Sequence, residues 1–448
     1  IPHLPRKIVH HRRFYNKSWG SENAISTFKK SRKKVEHREE ICYHKCTTNY
    51  TIRKMRSMLE KDYTTKLLGM EEVIVKNIIN EEKIIHVYIE QPRKEHICPC
   101  CKCRTDRIHD YREQAIKDIE IQGKAVLLHF RKRRYCCPMC GKRFFEKNEI
   151  VARYYRITKR AMAYGIQLFR RLLSAKEIAD RMHVSITTAL RYFDMVSYHP
   201  KELPEVLSID EFKGNAGGEK YQSIVADAQN HKVIDILPNR YESDLIRYFS
   251  QFPSRMQVKC FVSDMNPHFR NVAQKCFPNA ILIVDRFHVI RQAVWAMEHI
   301  RKNEQKRLSD RFRKYFKHSR YLLSKPFEQL SNDEMDRLAL MFEISPKLAD
   351  AYRMKNEFVR IVMSKNSTTG RKTLAGWISD VEAMELPEFR DCLKACRHWF
   401  AEICNAMDFP WSNGFTEGCN NKTKVLKRVC YGVQNFNRFR NRILHCMA

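Results

Sequence analysis

The chain has 448 residues, 43% of them hydrophobic, and its 83 Lys and Arg against 51 Asp and Glu leave a formal net charge of +32. That length exceeds one small core and fits two to four domains. With no apolar run of about eighteen residues and no signal-like start, the sequence argues against a membrane span and against secretion. So large a positive charge repels itself in isolation and points to a polyanionic partner, nucleic acid before a membrane surface.

Residues 1–57 begin with Ile1 and hold 15 Lys and Arg against 4 Glu, with no Asp. Stretches such as "FKKSRKKVEHREE" lack an apolar period, so this basic extension is expected to be disordered or non-native. We read it as translated sequence ahead of a start at Met55 or Met58 in preference to a DNA-binding tail. It carries +11, so residues 58–448 keep +21 of the +32. Residues 58–95 form a strand-rich segment in which "EEVIVKNIINEEKIIHVYIEQP" predicts two short strands around a turn at Asn80.

Residues 96–147 carry two C-x-x-C pairs, Cys98 with Cys101 and Cys137 with Cys140, separated by 35 residues. Two knuckles of this kind present four thiolates tetrahedrally, which predicts a zinc ribbon holding Zn²⁺ in a reducing cytosol. Cys100, Cys103 and Cys136 are alternative ligands. Between the pairs, Val126, Leu128 and Phe130 alternate with polar residues as ribbon strands do. Nine Lys and Arg from Arg104 to Arg134 give the ribbon a phosphate-facing character.

Residues 150–200 predict a helix-turn-helix. Ser174 with Glu177 forms a capping box ahead of one helix, "HVS" makes the turn, and Ser185 caps a second helix running to about Met195. Ser185, Thr187, Thr188 and Arg191 fall on the exposed face of that second helix and are the candidate DNA-reading residues.

From residue 205 the pattern becomes three hairpin-capable strands followed by alternating helices and strands, a mixed sheet flanked by helices. "VLSID" and "FVSD" both run from apolar residues into an aspartate, Asp210 and Asp264. If their strands are neighbours, the two carboxylates repel unless one is protonated or a cation lies between them. Hard oxygen ligands suit Mg²⁺ or Mn²⁺. Glu417, at the start of a helix after the loop Asn413–Gly414, supplies a third carboxylate for a two-metal site. Val425, Leu426 and Val429 are expected on the inner face of that helix, and Lys422, Lys424, Lys427 and Arg428 supply its basic charge. Residues 205–288 and 410–448 are the two parts of this domain. Residues 289–409 between them are expected to be an α-helical insertion, with Trp377, Trp399 and Phe400 in its core and "SKNSTTGRKTLAGW" as a loop.

From about Tyr63 to Leu444 the chain resembles the ISL3 family of bacterial insertion-sequence transposases. The phrases "SIDEFKG", "VSDMNPHF", "DRFHVIR" and "SNGFTEGCNNKTKVLKR" fall in that family's order. The resemblance implies a multidomain α+β protein, with a zinc ribbon and helix-turn-helix ahead of a ribonuclease-H-like domain. It implies a DDE triad of Asp210, Asp264 and Glu417, and a supporting role for His288 in "DRFH", with Asp285 as competitor to Asp264 for the metal. It further implies binding of the element's terminal inverted repeats, metal-dependent hydrolysis and joining of the freed 3′-hydroxyl to target DNA. Lys424 and Lys427 are the candidate DNA contacts beside the triad. A homo-oligomer is expected because two ends must meet, and a bacterial cytoplasmic, nucleoid-associated location goes with that work. The competing readings are a catalytically silent DNA-binding descendant and a ribonuclease-H-like nuclease.

Overall fold

The computed structural model describes residue 65, residues 68–70 and residues 73–448; the basic extension of residues 1–57 lies outside the described residues. The chain divides into a unit ending at Glu71 and a second from Glu72 to Ala448. In the first, the backbone N–H of Met70 donates to the carbonyl of Thr65 at 2.9 Å.

The N-terminal sheet of the second unit starts with the antiparallel pair β1 (Ile74–Asn80) and β2 (Ile84–Glu90). Asn80 stays in β1 opposite Ile85, so the turn falls at residues 81–83, one residue later than expected. The short pair β3 (His96–Ile97) and β4 (Arg104–Thr105) precedes a long hairpin, β5 (Ile108–Ile121) and β6 (Lys124–Cys136). Gln122 and Gly123 both have positive φ at its tip, the left-handed pair that matches the twist of a tight hairpin. Val126, Leu128 and Phe130 point to the buried face of β6, and β7 (Arg143–Phe145) completes the sheet against it, in the order β1-β2-β6-β5.

Three helices follow: α1 (Lys159–Leu168), α2 (Ala175–Arg181) and α3 (Ile186–Phe193). The Ser174–Glu177 capping box is closed in both directions, at 2.7 and 3.1 Å. Ser185 accepts from the Thr188 N–H, and α3 stops at Phe193, short of Met195. Ile178, Ala179, Ala189 and Phe193 form the core of this three-helix unit. Asp118 of β5 fastens it to the hairpin, taking the Thr158 hydroxyl at 2.6 Å and the Arg160 Nε at 2.9 Å.

The third module is built on a mixed sheet. β8 (Val206–Phe212), β9 (Gln222–Asp227) and β10 (Lys232–Leu237) are antiparallel neighbours. After α4 (Glu242–Ser250), β11 (Cys260–Ser263) pairs parallel to β8; after α5 (Pro267–Cys276), β12 (Ile281–Val284) pairs parallel to β11. The order is β10-β9-β8-β11-β12. Alternation along β8 assigns its faces. Leu207 and Ile209 join the core beneath α4 and α5, with Phe249, Phe269 and Val272. Ser208, Asp210 and Phe212 face the other way.

That other face is covered by the last two helices of the chain, reached through a large helical insertion. The insertion comprises α6 (Arg286–Arg307), α7 (Asp310–Phe316), α8 (Arg320–Ser324), α9 (Asn332–Ile344), α10 (Pro346–Val362), α11 (Ser367–Ala383), α12 (Arg390–His398) and α13 (Phe400–Asp408). It has its own core, with Trp377 and Trp399 inside and Phe400 packed against it. The expected loop at "SKNSTTGRKTLAGW" is instead mostly the first half of α11. Asn366 caps it by accepting from the Thr369 N–H at 3.0 Å. Its inner face is fixed by Leu374 and by Trp377, whose indole N–H donates to the Met354 carbonyl at 2.9 Å.

The chain then returns to the sheet as α14 (Gly414–Val429) and α15 (Phe436–Met447). Cys419, Leu426, Phe439 and Ile443 pack against Phe212, Ile224 and Ile236. The inner face of α14 is Thr416, Cys419, Asn420, Thr423 and Leu426. Val425, expected there, is 42% exposed, because it lies about 100° round the helix from Leu426. With helices on both faces of a 3-2-1-4-5 sheet, this module has the ribonuclease-H-like arrangement, and the chain is a multidomain α+β protein. Among the described residues no helix is long and apolar enough to cross a membrane.

α15 touches two modules at once. On one side Phe439 and Ile443 enter the sheet core, and Arg440 Nε donates to Asp235 of β10 at 2.6 Å. On the other, Arg438 makes a two-pronged ion pair with Asp194 at 2.8 and 2.6 Å, and Arg442 donates to the carbonyls of Arg171 and Leu173. His445 Nε2 donates to the Ile166 carbonyl at 2.9 Å, so its Nδ1 is the acceptor for the Tyr198 hydroxyl.

Candidate active site and metal centre

Asp210 does not end its strand: β8 continues to Phe212. The parallel pairing of Val262 with Ser208 sets Asp264, just past β11, level with Asp210 on the neighbouring strand. Asp210 is 8% exposed. Its Oδ1 accepts the Glu211 backbone N–H and its Oδ2 accepts the Asn420 amide, both at 2.8 Å. Burial, aided by the negative charges of Asp264 and Glu417, lifts Asp210 to about 6 against the pull of that N–H and of His288. Asp264 is also raised to about 6, chiefly by burial, with His288 and Arg291 opposing.

Hydrogen bonding separates Asp264 from Asp285. Asp285 follows β12 at the start of α6, and both its oxygens are engaged. Oδ2 meets His288 Nδ1 at 2.9 Å and Oδ1 accepts the Asn413 backbone N–H at 3.2 Å. Oδ1 of Asp264 is buried with no donor, and so are Oδ1 of Asn413 and Oδ1 of Asn420. Buried acceptors without donors are costly unless water or a cation serves them, and the free carboxylate oxygen of Asp264 is a hard donor that suits a divalent ion.

Glu417 lies in the first turn of α14. Ser208 and Thr416 pair their hydroxyls at 2.9 Å, and the Asn413 amide donates to the Ile209 carbonyl at 3.2 Å, seating the helix on β8. The Glu417 Oε1 is 3.8 Å from His288 Nε2. Asp285, His288 and Glu417 thereby bring three ligand atoms within 4.8 Å of one another. The Asp285 hydrogen bond holds His288 above its ordinary value, outweighing burial. Glu211, beside Asp210, is neutralised by Arg240 at 2.7 Å.

The motif "SIDEFKG" also carries a turn. A side chain at Gly214 would place its Cβ 1.7 Å from Oε1 of Gln222. Gln222 is buried and its amide donates to the carbonyls of Ala216 and Glu219. Gly214 therefore allows the loop after β8 to fold over that amide.

The second constellation is the cysteine cluster. Cys98, Cys101, Cys137 and Cys140 bring their Sγ atoms within 4.8 Å of one another. Lys102 and Gly141 both adopt positive φ and donate backwards to the carbonyls of Cys98 and Cys137 at 3.1 and 3.0 Å. The two knuckles thus share one geometry, with Lys102 in the strained position that Gly141 fills freely. Among the crowded thiols Cys137 is held below its ordinary value, chiefly by the Cys140 backbone N–H, while Cys101 and Cys140 are raised. Cys100, Cys103 and Cys136 are outside this cluster.

Of the candidate DNA-reading residues, Thr187 and Arg191 are exposed on α3. Ser185 and Thr188 are occupied with the helix cap, hydroxyl to hydroxyl at 2.9 Å. Lys424 and Lys427 lie farther along α14 from Glu417; Lys427 donates to the Lys213 carbonyl at 3.2 Å and Lys424 to the Asn421 amide oxygen at 3.3 Å. Sequence reasoning missed Asn413 and Asn420; the amides flanking Glu417 in "SNGFTEGCNN" were the available signal.

Comparison with known proteins agrees with this layout. The family model of the ISL3 DDE domain, described as a transposase, matches residues 207–443. A second, described as the zinc-finger of transposase IS204/IS1001/IS1096/IS1165, matches residues 94–140. The transposase for insertion sequence element IS1001 of Bordetella parapertussis is 24% identical over 381 residues, covering 80% of this chain and 90% of that protein. The transposase for insertion sequence element IS1557 of Mycobacterium tuberculosis is 24% identical over 241 residues, 48% of this chain and 54% of that one. A Lactococcus lactis protein named as an ATP-dependent protease is 30% identical over 112 residues, 25% of this chain and 34% of that protein. With the DDE-domain match spanning more than half its length, the chain belongs to the ISL3 family of insertion-sequence transposases.

Proposed function

We propose that this transposase binds the terminal inverted repeats of its element and performs metal-dependent strand cleavage and 3′-hydroxyl transfer at Asp210, Asp264 and Glu417. The observation that carries the reading is the pair Asp210 and Asp264. Asp264, just past β11, stands level with Asp210 of the neighbouring parallel β8, both are lifted to about 6, and Asp264 Oδ1 is buried without a donor. Two buried carboxylates so placed are stable together only with a proton or a cation, and a DNA-cleaving enzyme uses the cation.

Asp210 and Asp264 would hold Mg²⁺ or Mn²⁺, with Glu417 completing the set from α14. Bound there, the metal supplies Lewis acidity that activates the attacking water or hydroxyl and stabilises the leaving oxygen. The chain's own residues prepare the site. Asn420 and the Glu211 N–H orient the Asp210 carboxylate. Asp285 accepts from Nδ1–H of His288, so that Nε2 faces Glu417 and, on the imidazolium that this hydrogen bond favours, donates to a phosphate oxygen. Zn²⁺ on Cys98, Cys101, Cys137 and Cys140 would lock the knuckles at the end of the basic hairpin. Thr187 and Arg191 of α3 would read the repeat, with Ser185 and Thr188 fixing the helix end, and Lys424 and Lys427 would lie along the backbone near the cut.

The test is a cleavage-and-joining assay with Mg²⁺ and duplexes carrying the element's ends, with Asp210→Asn as control. Nicks at the end followed by joined product, both lost in the variant, are expected. End-binding without cleavage in either Mg²⁺ or Mn²⁺ would sink the catalytic part. Cleavage without joining would make the protein a nuclease.

A further inference from the structure

α6 starts at the carboxylates and leads away from them. Along it Phe287, Arg291 and Trp295 are spaced i, i+4, i+8, a single stripe about 12 Å long. Phe287 is 57% exposed and Trp295 43% exposed, although large aromatic rings on a helix normally lie in a core or an interface. The Arg291 guanidinium lies between them, 5.8 Å from the Phe287 ring centre and 4.8 Å from that of Trp295.

Arg291 is unusual in a second way. Its Nε is buried with no hydrogen-bond partner, and among the described residues no carboxylate pairs with it. Its charge nevertheless reaches Asp264 and His288. A half-buried guanidinium with an unpartnered Nε and no anion, set between two exposed aromatic rings, matches the chemistry of a nucleotide: phosphate for the fork, base for the rings. The adjoining His288 ring meets Phe287 edge to face at 5.8 Å, so the stripe begins where the reacting phosphate would lie.

We propose that Phe287, Arg291 and Trp295 form a stacking platform that receives a base unpaired from the duplex next to the scissile phosphate, with Arg291 on that nucleotide's phosphate. The proposal rests on the reading of the carboxylates as a DNA-cleaving site. The platform would hold the melted end open, so that the 3′-hydroxyl and its phosphate reach the carboxylates without the complementary strand in the way. Unstacking costs energy, which the rings and the guanidinium offset.

The test uses the full chain carrying Asp210→Asn, Mg²⁺, and duplexes of the element's end with 2-aminopurine at each position flanking the cleavage site in turn. The expected result is a several-fold brightening at one position on binding. Trp295→Ala or Phe287→Ala, added to Asp210→Asn, should abolish or change that signal, while Trp295→Phe should retain it. With Asp210 restored, Trp295→Ala should slow single-turnover cleavage about 10- to 100-fold. An abasic site at the brightening position should recover much of that rate, which a merely misfolded variant would not do. Complexes that form normally but show no brightening, or brightening indifferent to both alanine variants, overturn the platform while cleavage by the unaltered protein leaves the carboxylate reading standing. Absence of cleavage by the unaltered protein removes that reading, and the platform with it. If Trp295→Ala instead changes only the oligomeric state, the face is a contact between copies and the proposal fails.

Discussion

Replacing Asp210 by Asn should stabilise the magnesium-free protein at neutral pH while abolishing its response to Mg²⁺. Burial lifts Asp210 from an ordinary 3.8 to about 6, a gap worth about 3 kcal/mol between the protonation states. The folded value lies above the unfolded one, so the protonated form favours folding. That stability is fully present below 3.8 and is lost as pH rises through about 6. Asn has no such charge. It keeps an acceptor for the Glu211 N–H, and if the Asn420 amide turns over, the Oδ1 that now lacks a donor accepts from the new amide. The variant should therefore exceed the parent by about 1–3 kcal/mol at pH 7.5 and match it near pH 4. Urea unfolding of the catalytic module reads this directly, in magnesium-free buffer with zinc retained. Adding Mg²⁺ at about ten times its dissociation constant should restore about 1.4 kcal/mol to the parent and nothing to the variant. A variant less stable than the parent at pH 7.5 without magnesium would refute the electrostatic reasoning. Equal magnesium shifts in both proteins would remove Asp210 from the metal site.

Serine at Cys98, Cys101, Cys137 or Cys140 should cut bound zinc from one per chain to near none by metal analysis and unfold the knuckles. Serine at Cys100, Cys103 or Cys136, outside the cluster, should leave the content unchanged. Asp285→Asn should lower the His288 titration, followed by NMR in magnesium-free protein, because the hydrogen bond that raises it loses its carboxylate charge. Protonated His288 would then disappear at lower pH as the solution is made basic; no change would mean another group holds the proton. Arg191→Ala should weaken binding to the element's ends and reduce the salt slope by about one if it meets a phosphate, whereas an unchanged slope with altered sequence preference would make it a base contact.

Local chemistry was the legible part of this chain. The capping box at Ser174, the C-x-x-C pairs and the alternation of Val126, Leu128 and Phe130 each follow from neighbours a few residues apart, and each has its counterpart in the structure. The mixed sheet was readable because strand, turn and helix signals alternate cleanly from Val206 to Val284. What escaped depends on distant partners. Nothing near Asp285 in sequence reveals that the Asn413 N–H occupies one of its oxygens. Likewise, the orphaned Oδ1 of Asp264 is visible only once the fold has buried it. The stretch at residues 364–377 is rich in Ser, Thr, Gly and Asn and reads as a loop by propensity, yet burial of Leu374 and Trp377 against α10 overrides that preference. Val425 was misassigned because apolar character alone does not say which side of a helix it occupies.

The double attachment of α15 has a consequence for the DNA. One helix is pinned to Asp235 of β10 and to Asp194 and the Arg171 and Leu173 carbonyls of the three-helix unit, so α3 and the carboxylates are held in one frame. If a duplex engages both as proposed, its recognition bases and its cut phosphate sit at a fixed angular offset. Inserting about half a helical turn between them would rotate the phosphate to the far side of the duplex, whereas a whole turn would restore its phase and change only the reach. Loss of the Arg438–Asp194 pair would then blur where the cut falls before it weakened the grip on the repeat.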